Sequence, residues 1–401
     1  MLALIKILII FAFILVLIKK KLNIGLCLIL ASFLFWILFQ IPFSKFPSVF
    51  PLGFFAYENT NLLLSVFSIM LLGNLLSNNG ELVKLVRGIE ERIRDSRLVS
   101  PALSALIGLL PMPGGALFSA PLIEASYSSS SLSSQLLTFI NYWYRHLWEY
   151  FLPLYPVILM ASSLTGLSLS WIILHHLPFT LLALIGGWLV IKNQKKVTKT
   201  KVKSMPSKTL LRLLMPILIP VIIVLLNQPV WLGASLGIAF CIIIHHMNPS
   251  TLSRLMFHRF SWAMMVDVVG VILFKTVIIE SGSIPNLVNA FLASKFPILI
   301  IGMIIPFLIA LISGYSSAYI GIAFPIILPL LTGYSLQQIF PLLFISGYAG
   351  ITFSPAHLCL ILTCRHFKSD LISTYRLLFF PFLLVFSWGI IWFFIARLCG
   401  N

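Results

Sequence analysis

The stretch Pro111-Met112-Pro113-Gly114-Gly115 separates two apolar arms, residues 101–110 and 116–126, and it decides the fold. Each arm would form a helix about 15 Å long, whereas the hydrocarbon core of a bilayer is about 30 Å thick. Prolines and glycines together disfavour one continuous helix. We therefore predict a re-entrant hairpin over residues 99–127, whose tip must be buried in protein or line a cavity. One spanning helix kinked at the prolines is the alternative.

Composition indicates a polytopic protein of the lipid bilayer. Hydrophobic residues make up 60% and charged residues 9% of the chain, whereas soluble domains are about a quarter charged. The net charge of +17 comes from basic residues in short loops, as expected for cytoplasmic loops, so we expect no nucleic-acid partner.

The first apolar run precedes its lysines, the reverse of the order in a signal peptide, which indicates a retained helix. The five cysteines include no CxxC pair, so neither a disulfide framework nor a thiolate zinc site is predicted.

Apolar runs predict an all-α polytopic membrane protein with about ten transmembrane helices plus two re-entrant hairpins in two inverted-topology repeats. The predicted spans are residues 2–18, 22–41, 60–77, 135–163, 169–191, 209–226, 230–247, 261–280, 336–363 and 371–396. Basic residues interleaved with apolar ones over 81–98 predict an amphipathic helix on the membrane surface. Residues 42–59 and 281–296 are predicted to be loops.

The basic loops determine the predicted orientation. We place Lys19-Lys20-Lys21 in the cytoplasm and count the membrane crossings of the predicted spans from there. Residues 81–98, residues 192–208 and the loops at Arg254 and Arg365 then also lie in the cytoplasm, in agreement with the positive-inside rule. We therefore expect a multi-pass protein of the cell (plasma) membrane with both termini external. The first hairpin then enters from the cytoplasm and the second from outside.

The chain divides into two corresponding halves. The predicted units are N-terminal transmembrane helices (1–59), a first half (60–191) with hairpin 99–127, a basic cytoplasmic linker (192–208), and a second half (209–401) with hairpin 297–331. Pro113-Gly114-Gly115 aligns with Ser313-Gly314-Tyr315, Pro153 aligns with Pro355, and Pro178 aligns with Pro381. Inverted halves with interrupted segments at matching places are typical of secondary transporters. Chance alignment of proline-rich apolar sequence is the alternative.

The fourth span is unusually polar, reading Asn141-Tyr142-Trp143-Tyr144-Arg145-His146-Leu147-Trp148-Glu149. A charge at the membrane centre costs about 2.5–3.5 kcal/mol on insertion scales. Arg145 and Glu149 are four residues apart, so in a helix they share a face and can pair. That pair is either structural, or functional, with Arg145 binding an anionic substrate and His146 or Glu149 carrying a coupling proton.

The ninth span contains Ser346-Gly347-Tyr348-Ala349-Gly350-Ile351-Thr352-Phe353-Ser354-Pro355-Ala356-His357. Its two glycines and its proline predict an unwound centre, where free carbonyls and helix ends hold ions without side-chain charge. Close helix packing is the alternative role for the glycines. We interpret His357 as a hydrogen-bonded interior residue rather than a metal ligand.

The tips of the two hairpins and the fourth and ninth spans, which we call the two broken spans, supply the candidate substrate-binding residues. They are Pro113, Gly114, Gly115, Asn141, Arg145, His146, Glu149, Ser313, Gly314, Ser316, Ser317, Gly347, Gly350, Thr352, Ser354 and His357. We predict no metal site and no cofactor other than a coupling proton or sodium ion. The motifs HExxH and GxxxxGK[ST] are absent, and no catalytic residues are predicted.

The same segments resemble a known family. Leu110-Pro111-Met112-Pro113-Gly114-Gly115-Ala116-Leu117, Asn141-Tyr142-Trp143 and Ser354-Pro355-Ala356-His357-Leu358-Cys359 are similar to an uncharacterised prokaryotic integral membrane family, the domain-of-unknown-function family numbered 401. The resemblance spans roughly residues 60–395 and implies a place in the ion-transporter superfamily, with two inverted repeats and an elevator-like mechanism. It implies no substrate, because dicarboxylate/sodium relatives carry Ser-Asn-Thr at the hairpin tips and this chain does not.

We expect a secondary transporter (permease) for a small anionic solute, coupled to a proton or sodium gradient. Backbone donors at hairpin-arm N-termini favour an anion, and Arg145 adds a countercharge. Two other functions remain open: a non-transporting membrane scaffold or subunit, and an intramembrane enzyme built around His146, Glu149 or His357. Elevator carriers are often dimers, so a homodimer is a candidate assembly by analogy.

Overall fold

The computed structural model describes residues 2–93, 95–109, 115–126, 132–194, 205–258, 260–293, 297–331 and 333–399, and the regular structure in these ranges is helical. The helices are α1 (Leu2–Lys19), α2 (Ile24–Leu38), α3 (Tyr57–Asn78), α4 (Glu81–Glu90), α5 (Ser96–Gly108), α6 (Ala116–Ser126), α7 (Ser134–Arg145), α8 (Pro156–Thr165), α9 (Leu169–Ile191), α10 (Ser207–Leu225), α11 (Val230–His245), α12 (Pro249–Phe257), α13 (Trp262–Glu280), α14 (Ile284–Ala293), α15 (Ile298–Ser313), α16 (Ser316–Leu330), α17 (Leu336–Thr352), α18 (Leu358–Phe367) and α19 (Leu371–Leu398). Short helical turns join α2 to α3 where a loop is predicted.

Five of the described helices are long and apolar enough to cross a membrane, namely α3, α9, α10, α13 and α19. They have between 19 and 28 residues, and about 20 residues span the hydrocarbon core. Three further predicted spans are the shorter helices α1, α2 and α11, with 18, 15 and 16 residues. The two remaining predicted spans are each divided into two helices. Helix lengths and composition together indicate a membrane protein.

Capping residues set the start of several helices. Ser133, Ser168 and Ser335 each accept a hydrogen bond from a backbone N–H in the first turn of α7, α9 and α17 respectively. Asp370 caps α19 in the same way, with the N–H of Ser373 donating at 2.8 Å. That bond holds the pKa of the Asp370 carboxyl below its usual value, because it favours the charged form.

Two predictions for the segments between spans are wrong. The single helix predicted over 81–98 is two helices, because the Asp95 side chain accepts a backbone hydrogen bond at 3.0 Å and starts α5 anew. The first of them, α4, keeps the predicted amphipathic pattern, with Lys84 exposed and Leu85 buried. The predicted loop 281–296 contains α14.

The N-terminal helices pack closely against the second half. A Cβ on Gly25 of α2 would lie 2.0 Å from the Val266 carbonyl oxygen, and one on Gly270 of α13 would lie 2.4 Å from the Gly25 carbonyl oxygen. Small residues permit such close approach between membrane helices. At the same crossing, the Asp267 carboxylate accepts a 2.8 Å hydrogen bond from the Gly25 N–H. This contact places a carboxylate at the N-terminus of α2, where the helix dipole favours negative charge.

The two predicted hairpin segments each contain two helical arms. In the first, α5 and α6 flank residues 110–114, so all of the predicted tip except Gly115 lies outside the described residues. In the second, α15 and α16 meet at Gly314-Tyr315, within the predicted break. Most of the predicted linker, residues 195–204, also lies outside the described residues.

The last helices of the two halves pack against each other. Helix α9 contains Pro178 and α19 contains Pro381, the two prolines that the predicted repeat aligns. A Cβ on Gly186 of α9 would lie 2.9 Å from Cα of Pro381, so the two backbones are in close contact. Helix α7 also contacts α18 and α19, which brings the broken spans of both halves together.

Candidate functional site

The first broken span loses its helix at Arg145. Irregular backbone runs from residue 146 to residue 155, and α8 begins at Pro156. Pro156 occupies the first position of a helix, where its missing N–H is tolerated, and Pro153 opposes continuation of α7. The prediction that Arg145 and Glu149 share one helical face is therefore wrong, because the helix ends between them.

The second broken span unwinds later than the sequence predicts. Helix α17 stays regular through both predicted glycines, and the irregular segment is residues 353–357. A Cβ on Gly347 would lie 2.2 Å from the Tyr319 ring, and one on Gly350 would lie 2.2 Å from the Phe307 carbonyl oxygen. The glycines therefore serve close packing, which was the alternative interpretation, and do not form the break.

The second predicted hairpin contacts this irregular segment where α15 and α16 meet, at Gly314-Tyr315. Gly314 has φ +67°, in the left-handed region that favours glycine, and a Cβ on it would lie 2.5 Å from the carbonyl carbon of Ala356. Ser354 is fully buried; its Oγ donates to the Leu311 carbonyl at 2.7 Å and accepts from the Ala356 N–H at 3.1 Å. These contacts hold the hairpin break against the break in the span.

Arg145 is buried where the two halves meet. Only 3% of its surface is exposed, and Nη1 lies 3.3 Å from Sγ of Cys359, at the start of α18. A Cβ on Gly115, beside the first hairpin's second arm, would lie 2.3 Å from Nη2 of Arg145. Any larger residue at position 115 would displace the guanidinium, so this glycine provides the space that Arg145 occupies.

Two histidines and Cys359 form a buried cluster beside Arg145. The rings of His146 and His357 have centroids 5.2 Å apart, and ligand atoms of the two histidines and Cys359 lie within 4.8 Å of one another. His146 Nδ1 lies 2.5 Å from the Tyr142 carbonyl oxygen. Because a carbonyl can only accept, Nδ1 carries the hydrogen. The other ring nitrogen, Nε2, lies 3.9 Å from a carboxylate oxygen of Glu149.

A cavity of about 140 Å³ opens beside this cluster, between the two breaks, α8, α13 and the start of α16. Six predicted site residues line it: Arg145, Glu149, Gly314, Ser316, Ser317 and His357. Asp267 also lines it, and most of the other lining side chains are apolar, among them Met160 and Val268. The volume suits a solute of a few non-hydrogen atoms. The site therefore combines a small apolar chamber with one guanidinium and two carboxyl groups.

A larger cavity of about 870 Å³ adjoins the first and shares Asp267, Tyr315 and Leu358 with it. Its lining includes Lys19 and Lys21, from the loop predicted to be cytoplasmic. Asp267 is only 3% exposed, and it borders both cavities. The shared residues connect the small cavity toward the lysine loop.

Asn141 connects helices and does not line the cavity. Its amide donates to the Ala116 carbonyl at 3.1 Å and to Thr363 Oγ1 at 3.0 Å, and its oxygen accepts from Ser119 Oγ at 2.5 Å. Asn141 is fully buried. Both amide hydrogens are thus used in joining α7 to α6 and α18.

The remaining predicted residues have separate positions. Thr352 donates to the carbonyl one turn earlier in α17, at 2.9 Å, and so makes a bond within its own helix. Ser313 lines the larger cavity, where its Oγ accepts from the Tyr315 N–H at 3.3 Å. Pro113 and Gly114 lie outside the described residues.

The sequence did not identify Cys359 or Asp267 as site residues. Cys359 follows His357 by two positions, next to the break predicted in the ninth span. This spacing was the sequence signal that could have identified Cys359 as a site residue. Its contact with Arg145 joins residues 214 positions apart, a distance that no local pattern encodes. The position of Asp267 in the site depends on how α2 crosses α13, which one apolar span read alone does not specify.

The chain belongs to the family described as "Protein of unknown function (DUF401)", which matches residues 3–396. A search of curated proteins found no match. Because the family description assigns no activity, function has to be inferred from the site itself.

Proposed function

We propose that this chain is a secondary active transporter of a small anionic solute, driven by a proton or sodium gradient. One observation carries the proposal: both broken spans and the break of the second hairpin converge on one cavity that contains the buried Arg145. Interrupted helices around a shared cavity are typical of inverted-repeat transporters. Membership of the ion-transporter superfamily, two re-entrant hairpins and an elevator-like motion belong to this proposal.

The charges at the cavity favour an anion accompanied by a proton. Arg145 keeps its positive charge at all relevant pH values, whereas Glu149 and Asp267 can each bind a proton. When both carboxyl groups are protonated, the cavity carries the charge of Arg145 alone and attracts an anion; when both are ionised, it repels one. Glu149 is the better proton carrier, because its Oε2 has no hydrogen-bond partner among the described residues, while Asp267 is held by the Gly25 N–H.

The larger cavity supplies a route for the solute. It extends from the small cavity, through Asp267 and Tyr315, to Lys19 and Lys21. With those lysines cytoplasmic, the described conformation is open to the inside. The solute would then be released past Tyr315. Movement of the second hairpin, together with the irregular segment 353–357 that it contacts, would expose the cavity to the outside.

Reconstitution tests the function directly. The purified full chain is placed in proteoliposomes, and uptake of radiolabelled phosphate, sulfate and small mono- and dicarboxylates is measured under imposed proton or sodium gradients. We expect accumulation of at least one anion, lost on adding a protonophore if protons drive it or on removing sodium if sodium does. No uptake of any probe by monodisperse protein would overturn the anion proposal and favour a scaffold role.

Arg145→Gln tests the proposed countercharge. A hydrogen bond to a charged group contributes about 1.5–3 kcal/mol, so KM for the transported anion should rise ~10- to 150-fold, and Arg145→Lys should lose less. Arg212→Gln, on an exposed position of α10, is the matched control and should leave KM unchanged. If Arg145→Gln transports with the wild-type KM, Arg145 is structural and the substrate assignment fails.

A further inference from the structure

We propose that His146, His357 and Cys359 bind one Zn²⁺ ion where the two halves of the chain meet. Their ligand atoms lie within 4.8 Å of one another, and the three residues are 5%, 7% and 9% exposed. Imidazole nitrogen and thiolate sulfur are preferred zinc ligands, whereas magnesium and calcium prefer oxygen. The site was not predicted from the sequence, which gave no CxxC or HExxH spacing.

His146 is oriented as metal-binding histidines usually are. Its Nδ1 donates to the Tyr142 carbonyl, which leaves the lone pair of the neutral ring on Nε2. Nε2 is buried and has no hydrogen-bond partner among the described residues. A backbone carbonyl on the second ring nitrogen is the arrangement that fixes the tautomer and the ring orientation of zinc-ligating histidines.

The other two ligands are also prepared for a cation. His357 Nδ1 is buried and has no hydrogen-bond partner among the described residues, a costly condition that a bound ion would relieve. Cys359 Sγ lies 3.3 Å from the Arg145 guanidinium, and positive charge beside sulfur stabilises the thiolate that metals bind. Two independent features therefore point to a ligand between these side chains.

The geometry leaves a fourth coordination position open. Tetrahedral zinc with bonds of about 2.0–2.3 Å places its ligands roughly 3.5 Å apart, so side-chain shifts of about 1 Å would complete the site. His357 and Cys359 line the small cavity, and Glu149 borders it as well. The open position therefore faces the cavity, as in zinc sites with three protein ligands and one exchangeable ligand.

A bound ion would connect the two broken spans. His146 lies in the break after α7, and both His357 and Cys359 lie at the break before α18. Zinc would thus fix the relative position of the two breaks and add positive charge beside Arg145. The site extends beyond the proposed transport function, and its test requires no transported solute.

Metal binding to the full chain in detergent tests the site. Chelator-treated protein is dialysed against Zn²⁺, bound metal is counted by elemental analysis, and Co²⁺ is used as a spectroscopic probe. We expect one Zn²⁺ per chain and a thiolate-to-cobalt charge-transfer band. Cys359→Ser should abolish that band, and His146→Gln or His357→Gln should weaken binding by about tenfold or more.

Matched controls separate the site from general thiol or imidazole binding. Cys364→Ser removes another buried cysteine of α18, and His176→Gln removes another buried histidine; both should bind zinc as the wild type does. Variants are compared only when they elute as monodisperse protein, and zinc should raise the melting temperature of the wild type but not of Cys359→Ser. Less than stoichiometric zinc, or an unchanged cobalt spectrum in Cys359→Ser, would overturn the proposal.

Discussion

At the scale of single residues, Gly314 is a position where both the backbone conformation and the available space oppose a side chain. Its φ of +67° penalises any residue with a Cβ, and that Cβ would lie 2.5 Å from the carbonyl carbon of Ala356. We expect Gly314→Ala to destabilise the protein by about 2–4 kcal/mol, from backbone strain and a clash with backbone that cannot rotate away. Thermal unfolding in detergent measures the loss.

Substitutions at two other glycines allow the cost of backbone strain to be measured separately from the cost of the clash. Gly282 has φ +64° but open space around its Cβ position, and Gly333 has neither a positive φ nor a neighbour within 4 Å. Gly282→Ala should therefore lose about 1 kcal/mol, and Gly333→Ala almost nothing. Equal losses in Gly314→Ala and Gly282→Ala would show that contact with Ala356 is unimportant.

Two charged residues of the site, Arg145 and Glu149, were predictable from the sequence, but their partners and the third charged residue, Asp267, were not. Arg145 and Glu149 are conspicuous because charge in an apolar span is expensive, and both line the cavity. Their expected pairing assumed a continuous helix, whereas α7 ends at Arg145. Apart from its spacing from His357, nothing in the sequence distinguishes Cys359 from other cysteines in apolar spans. Its contact with Arg145 arises only from the tertiary structure.

At the scale of helices, the crossing of α2 and α13 depends on Gly25. Its Cβ position is 2.0 Å from the Val266 carbonyl oxygen, so Gly25→Ala must push the helices apart and strain the Asp267 contact. We expect a loss of about 2–4 kcal/mol, measured by thermal unfolding. Gly73→Ala, on α3 with no atom within 4 Å of the Cβ position, should be neutral or gain up to about 1 kcal/mol. Similar melting temperatures for the two variants would contradict this close crossing.

Helix bounds followed from the sequence wherever one apolar run forms one helix. The predicted span 169–191 is α9, and 261–280 differs from α13 by one residue. Breaks were located less accurately, because glycine serves both unwinding and close packing. Gly347 and Gly350 pack against neighbouring helices, and which role applies depends on neighbours that a single sequence does not specify.

At the scale of the whole molecule, the arrangement of the two halves remains a prediction with a physical basis. The broken spans belong to opposite halves, yet Asn141 of one donates to Thr363 of the other at 3.0 Å, and α9 packs on α19 through Gly186 and Pro381. Corresponding elements of the two halves thus contact each other. Such pairing is expected if the halves are related by an axis in the membrane plane.

The orientation in the membrane can be tested with a native cysteine. Cys399, beyond the end of α19, is exposed, whereas the other cysteines are buried. Because the basic loops favour the cytoplasm, we expect Cys399 to be external and to react with a membrane-impermeant maleimide in intact cells. Lys208→Cys in a Cys399→Ser background, at the exposed last residue of the basic linker, should react only after permeabilisation. The reverse pattern would invert the topology and make the cavity beside Lys19 and Lys21 an external entrance.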